Sequence, residues 1–258
     1  MGAGVSGVKA QGTSGLQPLC LVPCLLSLIF AARKLNNMQL NTVIFDMDGL
    51  LIDSEPYWQE AAIETLQDFN VALTVEQYHF TTGLRTKEWI EYWFDYFHID
   101  MRFAEEVGTT IVNKAIEKIK EHGKPMPGVD YILSFFQQRN FRIGLATSSP
   151  LRLIDVVVEK LEIQNFFQAY SSAETLPFSK PHPHVYMNCA DQLHASPLHC
   201  LCFEDSFNGL IAAKAARMKC VIIPEPNLYA QPKWGAADIK LHSLNEFDRT
   251  MISVMEKD

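Results

Sequence analysis

Two carboxylate pairs carry the first chemical signal in this sequence: Asp46 and Asp48 in Asp46-Met47-Asp48-Gly49, and Glu204 with Asp205. Each follows a short apolar run, Val43-Ile44-Phe45 in the first case and Cys200-Leu201-Cys202-Phe203 in the second. α/β sheets bind ligands in the crevice at the carboxyl ends of their strands. Neighbouring carboxylates leaving a buried strand need a metal ion or water to satisfy them. Gly49 lets the chain turn after the first pair. Thr147 directly follows Leu145-Ala146, and Lys180 stands in Phe178-Ser179-Lys180-Pro181-His182-Pro183, where two prolines stiffen the backbone. Ser206 and Asn208-Gly209 then open a helix with a capping signal. Singly, these read as a polar turn, a cap or a solvated lysine; all four, in this order, are hard to assign to chance. An EF-hand loop also begins Asp-x-Asp, but Leu50 and Leu51 occupy offsets that require oxygen ligands or glycine, which excludes that reading.

Such residues need elements that bring strand ends together. Apolar runs at 42–45, 142–146, 200–203, 220–223 and, more weakly, 239–241 have the length and near-continuous hydrophobicity of strands covered on both faces. Helical patterns at 130–139, 151–161, 184–193 and 207–216 alternate with them, which predicts an α/β fold with a mainly parallel sheet. From about 55 to 122 that rhythm stops. Aromatics recur there at helical spacing (Trp89, Tyr92, Trp93, Tyr96, Phe97), then apolar residues at Val107, Ile111, Ala115 and Ile119. This is a helical insert whose aromatic stripe reads as packing surface, closed by the breaker cluster Lys124-Pro125-Met126-Pro127-Gly128. The expected division is 38–54 plus 128–258 for the core and 55–127 for the insert.

At 258 residues with 48% apolar and 20% charged side chains, the chain can bury a real core, and disordered or collagenous classes drop out. A net charge of -8 provides no basic footprint, so neither nucleic acid nor a membrane surface is an expected partner. The six cysteines contain no CxxC pair and read as buried hydrophobes in a reducing, cytoplasmic setting. Residues 1–15 are Gly/Ser-rich, and the apolar run 19–32, broken by Pro23, is shorter than the roughly 20 residues a spanning helix needs. Lys9 stands nearly alone before that run and Arg33-Lys34 follow it, a poor match to a secretory signal. The alternative is translation from Met38, with 1–37 an extension without structural work.

The four motifs resemble, in type and order, those of the haloacid dehalogenase-like hydrolase superfamily, from about Met38 to the end of the chain. The resemblance implies a Rossmann-like parallel sheet core with an inserted α-helical cap, the cap lying where β-phosphoglucomutases and many sugar-phosphate phosphatases carry theirs. Phe45-Asp46-Met47-Asp48-Gly49-Leu50-Leu51-Ile52-Asp53-Ser54-Glu55 with Ser179-Lys180-Pro181-His182-Pro183 is most similar to bacterial hexitol-phosphate and 2-deoxyglucose-6-phosphate phosphatases. The implied activity is Mg²⁺-dependent hydrolysis of small hexose or hexitol monophosphates through an aspartyl-phosphate, by a monomer or weak oligomer.

That resemblance also implies roles. Asp46 is the nucleophile, and Mg²⁺ is held by Asp46, the backbone carbonyl of Asp48 and Asp205, with Glu204 a partner behind it or through water. Lys180, Thr147 and Ser148 bind the phosphoryl group, and Asp48 protonates the leaving alcohol and then activates water. Dehalogenating members lack a general acid at this place, so Asp48 selects phosphoryl chemistry. Arg85, in Gly83-Leu84-Arg85-Thr86, is expected to reach sugar hydroxyls from the cap, and Trp58 to form an apolar wall.

A mutase is the alternative, since β-phosphoglucomutases resemble the chain at Arg85. They carry His where this chain has Trp58 and Lys-Asn where it has Pro150-Leu151, which favours one-way hydrolysis. Phosphoacceptor signalling modules also use Asp, Thr or Ser, and Lys around Mg²⁺, but with the acid pair early and the acceptor late. His182 and His184 lack a third metal ligand at suitable spacing and read as a helix start. Cys200 and Cys202 should share one strand face and pack in the core.

Overall fold

The computed structural model describes residues 39–257 except residue 82, together with residues 1, 2, 4 and 7. The expectations for the rest of the amino-terminal extension lie outside the described residues. Six strands, β1 Thr42–Phe45, β2 Arg142–Thr147, β3 Ala169–Ser172, β4 Cys200–Glu204, β5 Lys219–Ile222 and β6 Ile239–Lys240, form one sheet in the order β3-β2-β1-β4-β5-β6. Every pairing is parallel. This is the doubly wound order, whose direction reverses between β1 and β4, and ligands bind at such a switch point. Register matters for the chemistry: Phe45 lies opposite Leu145 on one side and Phe203 on the other. Asp46, Thr147 and Glu204 therefore reach the same carboxyl edge.

The strands are apolar on both faces because helices cover both. On one face Val43, Phe45, Leu145, Leu201 and Phe203 pack with Phe136 of α5 (Val129–Gln137) and with Phe247. The Phe45 ring stacks on Phe203 at 5.0 Å and meets Phe136 edge-on at 6.0 Å. Phe136 is fully buried, so truncating it to Ala costs about 3–5 kcal/mol. On the other face Ile44, Cys202 and Cys220 pack with Tyr186 and Cys189 of α7 (His184–Gln192) and Leu210 of α8 (Phe207–Ala215). Cys200 and Cys202 do share this face, and the four cysteines among the described residues are free and buried. α6 (Leu151–Lys160) and α9 (Arg249–Met255) complete the core helices.

From 55 to 127 the described residues form no named strand, only the helices α1 Glu55–Gln67, α2 Val75–Phe80, α3 Thr86–Phe97 and α4 Ala104–His122 and a short 3-10 turn at Met101–Phe103. Thr74 and Gln77 make a reciprocal capping box that starts α2. The aromatic stripe on α3 is packing surface in part, since Trp89 and Trp93 are buried while Tyr92 and Tyr96 are exposed. The outgoing and returning chains run side by side, Asp53 N–H donating to Lys124 O at 2.9 Å and Met126 N–H to Leu51 O at 3.0 Å. β3 is the strand the apolar pattern missed: Ala-Tyr-Ser-Ser at a sheet edge lacks the continuous hydrophobicity of the central strands. Among the described residues no helix is long and apolar enough to cross a membrane.

Candidate active site

Asp46, Lys180, Glu204 and Asp205 meet at the carboxyl edge of the sheet, all buried. Lys180 Nζ forms an ion pair with Asp46 Oδ1 and another, at 2.6 Å, with Glu204 Oε1. Glu204, with no exposed surface, is the most heavily bonded group in the site. Its Oε1 also accepts from Tyr186 Oη at 2.5 Å, and its Oε2 from Asp205 N, Ser206 N and Ser206 Oγ at 3.0–3.2 Å. Gly209 makes this possible, because a Cβ there would collide with the Glu204 carboxylate. Gly49 has φ +71°, and a Cβ on it would strike Asp205, so the turn after Asp48 needs glycine for both conformation and space.

The electrostatics are those of an anionic cluster short of positive charge. Burial pushes Asp46 up to about 8 against the pull of Lys180, with Glu204 and Asp48 adding to the rise. Burial also drives Asp205 well above the carboxylate range, reinforced by Asp46 and Glu204. Burial works to lower Lys180, but Asp46 and Glu204 outweigh it and hold the ammonium above the usual lysine range. Carboxylate oxygens of Asp46, Glu204 and Asp205 lie within 4.8 Å of one another. Asp205 Oδ1 is buried without a hydrogen-bond partner. An unanswered acceptor among three acids and one lysine suits a hard cation that takes oxygen ligands. Glu204, whose oxygens are already engaged by Lys180, Tyr186 and the 205–206 amides, is better placed to fix Lys180 than to bind the ion directly.

Asp48 lies apart from that cluster and is gripped from two sides. Ser54 Oγ (2.7 Å) and Trp58 Nε1 (2.9 Å) donate to its Oδ1, while Ser149 Oγ (2.7 Å) and Thr147 Oγ1 (3.3 Å) donate to Oδ2. Trp58, expected as an apolar wall, here donates a hydrogen bond to Asp48. Thr147 points at a carboxylate here, and accepts from Ser149 N at 3.0 Å. Ser148 Oγ donates to Gly83 O of the helical insert at 3.0 Å and lies 3.0 Å from Ser179 Oγ.

One cavity joins these groups: Asp46, Asp48, Trp58, Thr147, Lys180 and Asp205 all line it, as does Ser148. Arg85 does not. At the start of α3 its Nη1 donates to the carbonyls of Ala173 and Leu176, at 3.0 and 2.9 Å, and its Nη2 pairs with Glu88 at 2.9 Å. Arg85 thus pairs with Glu88 of its own helix and with main-chain carbonyls beyond β3, and the latter tie the insert to the core. Sequence reasoning passed over Ser54, Glu55, Tyr78, Ser149 and Tyr186. The last left a faint signal, a phenol within the otherwise core-facing side of α7.

Comparison with known proteins places the chain in a family. The haloacid dehalogenase-like hydrolase family matches residues 43–223, more than half of the chain. Hexitol phosphatase B of Escherichia coli K12 is 38% identical over 209 residues, 81% of this chain and 94% of the relative. β-Phosphoglucomutase of Bacillus subtilis is 25% identical, over 80% of this chain and 95% of its own. Among solved structures, β-phosphoglucomutase from Clostridium difficile superposes with a TM-score of 0.75 at 20% identity, covering 85% of this chain and 98% of that one.

Proposed function

Because the chain belongs to the haloacid dehalogenase-like hydrolases and is a phosphatase, we propose that it hydrolyses small hexose or hexitol monophosphates, with Asp46 as nucleophile and Mg²⁺ as cofactor. The observation that carries this reading is the meeting of Asp46, Lys180 and Asp205 at the end of β1 and β4, inside a cavity that also contains Asp48.

A carboxylate approaching a phosphate dianion faces repulsion on the order of 4 kcal/mol per unit charge pair at 4 Å and intermediate dielectric. Lys180 offsets part of it as a compact charge held against Asp46, and Glu204 and Tyr186 keep that lysine from moving away. Asp46, Asp205 and the backbone carbonyl of Asp48 would hold the ion, which when bound supplies the remaining positive charge and polarises a phosphoryl oxygen. Asp46 then forms a bond to phosphorus as the ester P–O bond breaks, and Asp48, as the acid, gives its proton to the departing alcohol oxygen. Asp48 next takes a proton from the water that attacks phosphorus, and Asp46 leaves as the carboxylate while inorganic phosphate forms. Thr147 and Ser148 donate to phosphoryl oxygens once the substrate displaces their resting contacts. Residues 55–127 act as the cap over Asp46, hinged near Ser54-Pro56 and Pro127-Gly128, excluding bulk water during attack.

Hydrolysis is favoured over mutase chemistry by the 38% identity to a hexitol phosphatase against 25% to a β-phosphoglucomutase. Trp58 and Pro150 stand where the mutases carry residues that help hold a bisphosphorylated intermediate. A panel of hexose, hexitol, pentose and nucleoside monophosphates, read by phosphate release with Mg²⁺, tests the proposal. Preference for a hexose or hexitol phosphate is expected. Conversion of β-glucose 1-phosphate to glucose 6-phosphate faster than phosphate release would establish the mutase instead.

A further inference from the structure

The same cavity has a second polar face, which the phosphoryl chemistry above does not use. Glu55, the first residue of α1, lines it beside Asp48, and Tyr78 of α2 and Trp89 of α3 line it from the insert. Glu55 stands close to the Asp46–Gly49 turn: a Cβ built on Gly49 would lie 3.6 Å from Glu55 Cγ. Among the described residues no lysine, arginine or histidine pairs with it, and its hydrogen-bond partner is Tyr78 Oη, which donates to Oε2 at a long 3.4 Å. Trp89 is only 7% exposed, and its indole N–H is buried without an acceptor. The Tyr78 and Trp89 rings sit 6.3 Å apart.

A half-buried carboxyl with no cation beside it and a buried indole N–H with no acceptor leave this wall with polar groups to satisfy. A carbohydrate chain answers both, because each hydroxyl both donates and accepts, and its C–H faces pack on aromatic rings. Burial, with Asp48, Glu225 and Asp46 adding, also lifts the Glu55 carboxyl to about 8.

We propose that Glu55, Tyr78 and Trp89 form the subsite for the hydroxyl-bearing part of the substrate, with Glu55 the specificity-determining group. This inference rests on the sugar-phosphate reading given above. It assigns hydroxyl recognition to the start of α1 and to the aromatic residues of α2 and α3, and leaves Arg85 as a tie between insert and core.

The test is the ratio of kcat/KM for a hexitol 6-phosphate to that for p-nitrophenyl phosphate, which carries no aliphatic hydroxyls, in the full chain with Mg²⁺. Glu55→Leu should lower that ratio about tenfold or more, because a site built to bond a hydroxyl loses discrimination when its partner is removed. Trp89→Phe, which deletes only the N–H and part of the ring, should lower it several-fold and mainly through KM. Glu55→Gln, which keeps an acceptor and a donor, should restore part of the loss. Folding is verified by thermal melting, and Trp89→Phe and Glu55→Gln carry the test if the leucine variant does not fold. Ratios within twofold of wild type in the folded variants would overturn the subsite while leaving the sugar-phosphate reading in place. A wild-type enzyme without preference for the hexitol phosphate would overturn that reading, and the subsite with it.

Discussion

Replacing Glu204 by Gln isolates the group that holds the site's lysine. The substitution barely changes volume but removes a buried charge that accepts five hydrogen bonds, from Lys180, Tyr186, Asp205 N, Ser206 N and Ser206 Oγ. Whichever way the amide is turned, its NH₂ faces donors: Lys180 and Tyr186 on one side, or the 205–206 group on the other. Breaking a buried ion pair by removing one partner costs about 3–5 kcal/mol. Lys180 keeps Asp46, so the lower end, about 3 kcal/mol, is the expectation. For a domain of this size that corresponds to a fall in melting temperature of about 6–12 °C. Tyr186→Phe removes one donor to the same oxygen and should cost about half as much, in keeping with a hydrogen bond to a charged group. Urea unfolding in excess chelator is the assay, because it removes any contribution from metal binding to the folded state. A Glu204→Gln loss below about 1 kcal/mol would refute the view that Glu204 anchors Lys180.

Chelation should silence the phosphatase and Mg²⁺ restore it; full turnover in excess chelator would contradict an ion at Asp46 and Asp205. Arg85→Ala should lower turnover of a hexitol phosphate and an aryl phosphate alike, since its side chain bonds the Ala173 and Leu176 carbonyls, whereas a selective loss on the hexitol phosphate would place Arg85 on the substrate. Asp238 tests the acid side of stability. Burial works to raise its pKa, but hydrogen bonds from Lys214 and the Cys220 amide outweigh burial and hold it below the ordinary value. A folded value below the unfolded one of about 3.9 means stabilisation that is present above that pH and lost as pH falls through the folded value. Asp238→Asn should therefore be less stable than wild type at neutral pH, with a gap that narrows below about pH 4; a gap independent of pH would contradict the assignment.

The parts of the molecule legible in the sequence are those in which a local pattern and a buried position coincide. Asp46 and Asp205 follow strands that are apolar on both faces, so their place at the sheet's carboxyl edge followed from runs of Val, Ile, Phe, Leu and Cys. β3 escaped because an edge strand of small and hydroxyl residues has no such run. Arg85 could be located at the start of a helix, yet its direction depends on carbonyls at Ala173 and Leu176, some 90 residues away, which no local pattern reports. The same holds for Glu204. Its position at a strand end was readable, but its five donors come from an α7 tyrosine, a loop lysine and the turn that opens α8. Glu55 was passed over and Trp89 was read as packing stripe because what distinguishes them, a carboxylate without a cation and an indole N–H without an acceptor, is a property of the folded cavity.

The central claim is that Asp46 itself carries the phosphoryl group between alcohol and water. The stereochemical course at phosphorus measures this directly, using a chiral phosphorothioate ester of the preferred alcohol hydrolysed in isotopically labelled water. Attack by Asp46 followed by attack of water is two in-line displacements, and the account predicts net retention. Net inversion would mean a single displacement by water, with Asp46 serving only as a ligand or base, and would contradict it.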